Sequence, residues 1–259
     1  MSADDESAGL SRGSAAAAAA RAAAAHAAAA RLATGMTIGL GSGRAVFAVI
    51  ELAAQRWPAG PPPLCVAASS ETERRARAAG FTLVSLDELD RRRADREGGV
   101  TPPALLDMVV DGADEVDPRL DLLKGGGGAL LREKLVARAA AFLLIVVEED
   151  KLVAQLGERH ALPVEIVRFG WRETRRKLLE LVASASLRRG ADGRAFVTDE
   201  GHFIVDCELG QGGGEGLPAL AAALKALPGV VEHGLFLGMA DEVIVGHADG
   251  GVERRARGA

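Results

Sequence analysis

The side chains with the clearest chemical potential lie between residues 111 and 128 of this 259-residue chain. Asp111 and Asp114 are three residues apart in the segment DGADEVD, so a turn could direct both carboxylates into one cleft. Lys124 follows, next to four consecutive glycines at 125–128. Each glycine would weaken a helix or strand by about 0.5–1 kcal/mol relative to alanine. The glycines therefore predict a loop, beside which the Lys124 ammonium could neutralise an oxyanion.

Glu133 adds a third carboxylate just after the glycines, one turn into a helix predicted over 129–140. A carboxylate at that position could serve as a general base. Arg132, Glu133 and Lys134 taken alone also fit the exposed face of a helix with salt bridges between its side chains. The residue pattern leaves both interpretations open.

Two further loops each join a predicted strand to a predicted helix. The segment GLGSGR, 39–44, lets the backbone come close to an anion at a helix N-terminus, which favours a phosphate site over a simple tight turn. It lacks the glycine spacing of a dinucleotide-binding fingerprint. In the second loop, 68–72, Ser69 could cap the following helix, or Ser69 and Thr72 could contact a ligand.

Alternating strands and helices must position these loops. Apolar runs in the first 150 residues predict strands at 36–40, 64–67, 81–85, 105–110 and 142–147. Strands that alternate with helices are typical of an α/β domain, here Rossmann-like, whose parallel sheet is covered on both faces. Later in the chain, a strand at 163–168, a helix at 171–185 and a hairpin around 199–201 predict a smaller α+β domain of ferredoxin-like order.

We expect a disordered tail over 1–14 and two domains. Residues 15–156 together with 234–259 would form the Rossmann-like catalytic domain, and 157–233 the small α+β domain. A last apolar strand at 242–246 could return to the first sheet. The charged run at 89–98 fits a solvated loop or a frayed helix.

Composition excludes several classes of function. The 31 basic and 36 acidic residues give a formal net charge of −5, unlike a protein that binds polyanions. Aromatic residues are only 3% and tyrosine is missing, so stacking surfaces for nucleic acid are not expected. Cys65 and Cys207 are far apart and form no metal or redox motif, which fits a reducing compartment. No uncharged apolar run reaches the ~20 residues of a membrane span. We therefore expect a cytoplasmic protein that binds neither nucleic acid nor membrane.

Several segments, in this order along the chain, resemble the ribose-5-phosphate isomerases of type A. DGADEVD followed by KGGGGALLREK, 124–134, closely resembles the signature of that family. GLGSG resembles the family's phosphate loop, and SSETERRARAAG, 69–80, its TSxxT segment. Shorter matches are DKLV at 150–153, PVE at 163–165, VTD at 197–199 and GVVEHGLF at 229–236. The resemblance runs from about residue 21 to residue 246.

The resemblance implies an aldose–ketose isomerase that interconverts D-ribose 5-phosphate and D-ribulose 5-phosphate in pentose-phosphate metabolism, without a metal or an organic cofactor. Glu133 matches the catalytic base, Lys124 the lysine that stabilises charge on the sugar oxygens, and Asp111 and Asp114 the acids that hold hydroxyls and assist ring opening. The implied substrate-binding residues are Ser42, Gly43, Arg44, Ala45, Gly112, Ala113, Gly125, Gly126, Gly127 and Lys151. The family also implies a homodimer or homotetramer, with the small domain as the contact region.

The phosphate loop departs from the family's pattern. Thr-Gly-Ser-Thr is replaced by Ser42-Gly43-Arg44-Ala45, which removes two hydroxyl groups and adds a guanidinium. Arg44 either takes over the phosphate through charge-assisted hydrogen bonds or blocks the loop by its bulk. Two alternatives to the isomerase follow: a related isomerase for another sugar phosphate, and a non-catalytic sugar-phosphate-binding homologue.

Overall fold

The computed structural model describes residues 3–57, 63–96, 104–210 and 216–258. Its largest element is a seven-stranded sheet in the order β3-β2-β1-β4-β7-β13-β14. Six of these strands are β1 (Thr37–Leu40), β2 (Leu64–Ala67), β3 (Thr82–Leu83), β4 (Met108–Asp111), β7 (Leu143–Glu148) and β13 (Glu242–Gly246). They pair in parallel, and β14 (Val252–Ala256) adds an antiparallel edge. The order is that of a doubly wound Rossmann-type sheet, and β13 is the predicted returning strand.

Helices cover both faces of this sheet, as the α/β pattern predicted. α1 (Ala3–Ala29) and α2 (Arg44–Arg56) pack on one face with strand residues such as Leu144 and Val146. On the other face, α4 (Leu86–Arg96) and α5 (Leu130–Arg138) pack against the alternate residues of the same strands. α3 (Ser70–Ala78) follows β2. Strands buried on both sides read as continuous apolar runs, which is why they were visible in the sequence.

One predicted feature of the large domain differs from the structure. The first helix begins at Ala3, within the tail predicted for 1–14, and residues 3–14 contain no proline that would end it. Residues 89–96 of the charged run are helical as part of α4, which agrees with the frayed-helix alternative and not with the loop; Arg92 pairs with Glu88 four residues earlier. Residues 97 and 98 of that run lie outside the described residues.

The smaller sheet has the order β11-β8-β10-β9, and every neighbouring pair is antiparallel. Its elements in chain order are β8 (Leu162–Ile166), α6 (Trp171–Leu178), β9 (Ser184–Leu187), β10 (Phe203–Glu208), α7 (Leu217–Ala226) and β11 (Val230–His233). This β-α-β-β-α-β arrangement is the predicted ferredoxin-like topology. The hairpin is present, closed by a bridge between Val197 and Phe203.

The helix predicted over 171–185 is too long. It ends at Leu178, and 184–187 form β9, which pairs with β10 along the edge of the small sheet. Pairing with a neighbouring strand overrides local helix preference there, since strand formation depends on tertiary context.

A three-stranded sheet joins the two larger ones. It consists of β5 (Glu115–Val116), β6 (Leu122–Leu123) and β12 (Leu235–Phe236), in the order β12-β6-β5. Leu122 and Phe236 pack in a core of the large domain, whereas Leu123 and Leu235 pack in the core of the small one. Alternate residues of the same short strands therefore belong to both cores. Within the described ranges, no helix is both long and apolar enough to cross a membrane.

Candidate active site

A cavity of about 210 Å³ lies beyond the carboxyl ends of β1 and β4, neighbouring strands at which the strand order reverses. Ligands of doubly wound sheets bind at this switch point. Every predicted site residue except Asp111 lines the cavity, and Val146 and Glu148 complete it. Segments as far apart in sequence as 42–45 and 146–151 therefore meet at one place, because parallel strands end at the same edge of the sheet.

Lys124 is the centre of the site's charged groups. Its Nζ lies 3.0 Å from Asp111 Oδ2 and 3.3 Å from Glu133 Oε2, and it donates a hydrogen bond of 2.7 Å to the Gly112 carbonyl. All three charged side chains are more than nine-tenths buried. Asp111 Oδ2 and Glu133 Oε2 accept no hydrogen bond of good geometry from the described residues. Two buried carboxylates thus share one buried ammonium group.

Asp111 stands behind the cavity rather than on its surface. Its Oδ1 accepts hydrogen bonds from the backbone N–H of Ser42 (3.1 Å) and of Gly112 (2.7 Å). Gly41 makes this possible, since a Cβ there would lie 2.0 Å from the Asp111 carboxyl carbon. Asp111 therefore ties the turn after β1 to Lys124.

Burial shifts the pKa values of this cluster. It raises the pKa of Glu133 to about 8, although Lys124 opposes the shift. Burial also raises the pKa of Asp111, again against the Lys124 charge. For Lys124, burial lowers the pKa, but the carboxylates of Asp111, Glu133 and Asp114 outweigh it, so the net shift is upward. The lysine is therefore charged, and Glu133 is a carboxylate with a pKa suited to exchanging a proton near neutral pH.

The glycine loop brings backbone amides to the cavity. The N–H of Gly126 donates to Asp114 Oδ2 at 2.7 Å, and a Cβ on Gly126 would lie 2.7 Å from the other carboxylate oxygen. Gly125 and Gly128 adopt φ values of 101° and 85°, which disfavour other residues. Gly126 is therefore required by its close approach to Asp114, and Gly125 and Gly128 by their backbone conformation.

The part of the cavity that is lined by the start of α2 is suited to an anion. Gly43, with φ of 101°, precedes α2, whose first turn has neither an acidic residue nor a side-chain cap. Its N–H groups and helix dipole are thus free to bind negative charge. Arg44 is exposed and forms no hydrogen bond or ion pair with the described residues, and Lys151 lines the same cavity.

Ser69 and Thr72 are explained by local structure. Ser69 Oγ caps α3 by accepting the Thr72 N–H at 3.1 Å, and Thr72 Oγ1 donates to the Gly41 carbonyl at 2.7 Å. Ser69 Oγ also lies 3.1 Å from Ser42 Oγ. The predicted cap is confirmed, and Thr72 and Ser69 connect this loop to Gly41 and Ser42 of the phosphate segment.

Comparison with known proteins agrees with the resemblance found in the sequence. The family described as Ribose 5-phosphate isomerase A (phosphoriboisomerase A) matches residues 64–250. The chain is 45% identical over 222 residues to the ribose-5-phosphate isomerase A of Rhodopseudomonas palustris strain TIE-1, covering 83% of this chain and 88% of the relative. The chain belongs to the ribose 5-phosphate isomerase A family.

Solved structures of this family share the whole fold. The ribose 5-phosphate isomerase from Plasmodium falciparum superimposes with a TM-score of 0.82 at 31% identity, covering 92% of this chain and 98% of that one. A D-ribose-5-phosphate isomerase in complex with phospho-erythronic acid gives 0.81 at 31% identity, covering 92% and 97%. The family resemblance therefore extends over both domains.

Sequence reasoning missed three features of this isomerase-family site. Glu148, one residue beyond the predicted strand, lines the cavity and pairs with Arg21 of α1 at 2.6 Å. Lys134 was expected to be solvated, but it is buried and donates to Glu232 Oε1 and to the His233 carbonyl. Arg188 of the small domain contacts the glycine loop. Only Glu148 carried a signal in the sequence, since it directly follows an apolar run.

Proposed function

We propose that this chain interconverts D-ribose 5-phosphate and D-ribulose 5-phosphate. The observation that carries the proposal is the buried Glu133–Lys124 pair in a cavity that is also lined by an uncapped helix N-terminus with Arg44. Family membership supports the same reaction. No observation favours another sugar phosphate or a non-catalytic role.

The proposed mechanism moves one proton between two carbons of the open-chain sugar. Ionised Glu133 removes the C2 proton, and the electrons of that bond form a C1–C2 double bond while negative charge develops on O1. Protonated Glu133 then returns the proton to C1, and a carbonyl group forms at C2 as a proton passes from O2 to O1. A positioned base of this kind contributes about 10²–10⁴-fold in rate. Lys124 stabilises the charge of the enediolate intermediate.

The two aspartates have different proposed roles. Asp114 lines the cavity, so it can hold a sugar hydroxyl and assist ring opening. Asp111 is behind the lining, 3.0 Å from Lys124, and its proposed role is to hold Lys124 in place and keep it charged. Gly112, Ala113 and the glycine loop supply the backbone around the sugar.

The phosphate group is assigned to Ser42, Gly43, Arg44 and Ala45 at the start of α2, with Lys151 lining the same cavity. A net charge of −5 disfavours an anionic substrate, so local positive charge must bind it. Binding of phospho-erythronic acid by a relative of the same fold supports a site for a phosphorylated acid of similar size.

A turnover assay tests the proposal. Purified protein should convert ribose 5-phosphate to the ketose, and Glu133→Gln should lose most of the turnover while binding of inorganic phosphate is kept. The same assay on a panel of pentose and hexose phosphates compares the alternatives. Wild-type protein that produces no ketose would overturn the proposal.

Arg44→Ser tests the departure in the phosphate loop. If Arg44 binds the phosphate, the variant should raise KM about tenfold or more, as for loss of one charge-assisted contact, with a smaller change in kcat. An unchanged or lower KM would show that Arg44 does not bind the phosphate.

A cytoplasmic homodimer or homotetramer is the proposed working form, with the small domain as the contact region. Phe169, at 95% exposure, and Leu179 and Leu181 present apolar surface there. Light scattering of the wild type and of Phe169→Ser checks this, since a monomeric wild type would contradict it.

A further inference from the structure

The small domain contributes one arginine to the active site of the large domain. Arg188 follows β9, and its Nη1 donates to the carbonyl of Gly125 at 2.8 Å and to that of Gly126 at 3.0 Å. These are the carbonyls of the loop that borders the cavity. No other described side chain donates a hydrogen bond to them.

Arg188 is itself held firmly. Asp206 of β10 accepts hydrogen bonds from Nε, at 2.9 Å, and from Nη2, so the two side chains form a forked pair. The guanidinium carbon lies 6.0 Å from the centre of the Phe196 ring, and that ring packs against Gly128. A planar guanidinium can serve a carboxylate and two carbonyls at once, whereas a lysine ammonium lacks this fork.

When Arg188 fixes the direction of these two carbonyl groups, it also fixes the direction of the N–H group in each of the same two peptide units. A trans peptide directs its C=O and N–H to opposite sides, and the described residues contain no cis peptide. The Gly125 carbonyl points to Arg188, and the N–H of the same peptide, on Gly126, donates to the cavity-lining Asp114. The side away from Arg188 is therefore the cavity side.

The next peptide group follows the same rule. Its carbonyl, on Gly126, also points to Arg188, so its N–H, on Gly127, points toward the cavity. This N–H has no acceptor among the residues that the structure describes. It is free to donate to a substrate oxygen.

We propose that Arg188 is a positioning residue that holds the glycine loop so that the Gly127 N–H stabilises the substrate oxygen on which negative charge develops. The inference rests on the proposed function, because it assigns a transition-state role within that reaction. It also gives the small domain a part in catalysis beyond any contact between subunits.

The test compares Arg188→Gln and Arg188→Lys with Arg189→Gln. Arg189 is the matched control, since it is exposed and its Nη1 bonds only the Gly193 carbonyl of its own hairpin. Removal of one donor to an oxyanion costs about 10²–10³-fold in kcat, so a misdirected donor should cost about 10- to 100-fold. Both Arg188 variants should show this loss with KM nearly unchanged, and Arg189→Gln should match the wild type.

Binding measurements separate positioning from a general structural defect. Calorimetric affinity for phospho-erythronic acid, which carries a carboxylate near the reacting carbons, should fall in the Arg188 variants. Affinity for inorganic phosphate should stay at the wild-type value. An equal loss of both affinities, a raised KM at unchanged kcat, or full kcat in Arg188→Lys would overturn the inference.

Two outcomes need to be kept apart. If the Gln variant fails to fold because Asp206 loses its partner, the Lys variant keeps the charge and decides the question. If the wild type does not turn over ribose 5-phosphate, the proposed function fails, and selective loss of phospho-erythronic acid binding then tests Arg188 alone.

Discussion

At the residue scale, the centre of the site is a pair of buried carboxylates that share one buried ammonium group. Asp111 and Glu133 lie 3.0 and 3.3 Å from Lys124, so the cluster carries one negative charge more than positive when all are ionised. Burial disfavours that charge and favours a proton on one carboxylate. Burial of this excess negative charge lowers the stability of the folded protein. It also raises the pKa of Glu133 into the range that suits a general base.

We expect kcat/KM for ribose 5-phosphate to rise as the pH rises through about 8. Glu133 removes a proton only when it is ionised, and burial raises its pKa to about 8 in the unliganded protein. The quantity kcat/KM reports ionisations of the free enzyme. Initial rates measured from acidic to mildly alkaline pH at constant ionic strength check this. A flat profile over that range would contradict it.

The variant Glu133→Gln should be inactive and also more heat-stable than the wild type. Because the folded-state pKa of Glu133 is raised from 4.5 to about 8, its contribution to stability is present below pH 4.5 and is lost as the pH rises through 8. Glutamine does not titrate, so the difference in Tm should widen in favour of the variant across that window.

Calorimetry at the two ends of the window measures this difference. Glu173→Gln is the control, since Glu173 is exposed on α6 and surface substitutions change stability by about 0.5 kcal/mol or less. A difference in Tm that narrows with rising pH would mean that ionised Glu133 stabilises the fold.

At the element scale, α1 explains why the chain begins with so many alanines. Its inner face packs so closely on β13 that a Cβ on Gly246 would lie 1.9 Å from the Ala20 carbonyl oxygen. Ala24, Ala25 and Ala28 are fully buried in this contact. Small side chains are therefore a packing requirement, in addition to the helix preference of alanine.

Ala24→Leu should destabilise the protein by about 1–3 kcal/mol, because extra methylene groups have no space between α1 and β13. Ala22→Leu is the matched control, two residues away on the exposed side of the same helix. Denaturant unfolding of both variants measures the difference. Equal stabilities would show that the contact between α1 and the sheet is loose.

Two adjacent residues of helix α5 contact different parts of the molecule. Glu133 faces the cavity, while Lys134 is directed to Glu232 and His233 of β11, where burial lowers its pKa to about 8. The triplet Arg132-Glu133-Lys134 fitted an exposed, salt-bridged helix when it was considered alone. That interpretation is wrong for both, because Glu133 is buried beside Lys124 and Lys134 is buried against β11 of the small domain.

At the scale of the whole molecule, the two domains are joined through the site. Lys124 N–H donates to the Gly234 carbonyl at 2.9 Å, and a Cβ on Gly234 would lie 2.2 Å from the Lys124 carbonyl oxygen. Lys124 thus directly follows β6, at the segment where the two domains touch. Arg132 of α5 also pairs with Asp199 and Glu200 of the small-domain hairpin.

We expect the two domains to unfold in one cooperative transition, because the strands β6 and β12 contribute to both cores. The chain has two tryptophans, Trp57 after α2 and Trp171 on α6, so one reports on each domain. Trp57→Phe leaves Trp171 as the fluorescent reporter, and Trp171→Phe leaves Trp57. The two variants should give the same denaturant midpoint once the effect of each substitution on the free energy of unfolding is corrected for. Two separated midpoints would contradict the expectation and favour independent domains.

The sequence by itself determined the fold class, the family and the segments that meet at the site. Strands buried on both faces leave continuous apolar runs, and glycines packed against Asp111 and Asp114 leave an unusual local composition; both are visible without coordinates. The strand β9 and the buried state of Lys134 were not predicted correctly. Each depends on a partner that is distant in sequence or on a balance between weak local preferences.

Only the tertiary structure decided which charged groups act on one another. Asp111 and Glu133 are similar carboxylates when only the sequence is considered. Their positions differ because β4 places Asp111 behind the cavity lining, whereas α5 places Glu133 on it. In the sequence nothing distinguishes Arg188 from the other arginines. The pairing of β9 with β10 places it next to the glycine loop. Electrostatic and hydrogen-bond energies depend on distance and burial, and neither quantity is local in sequence.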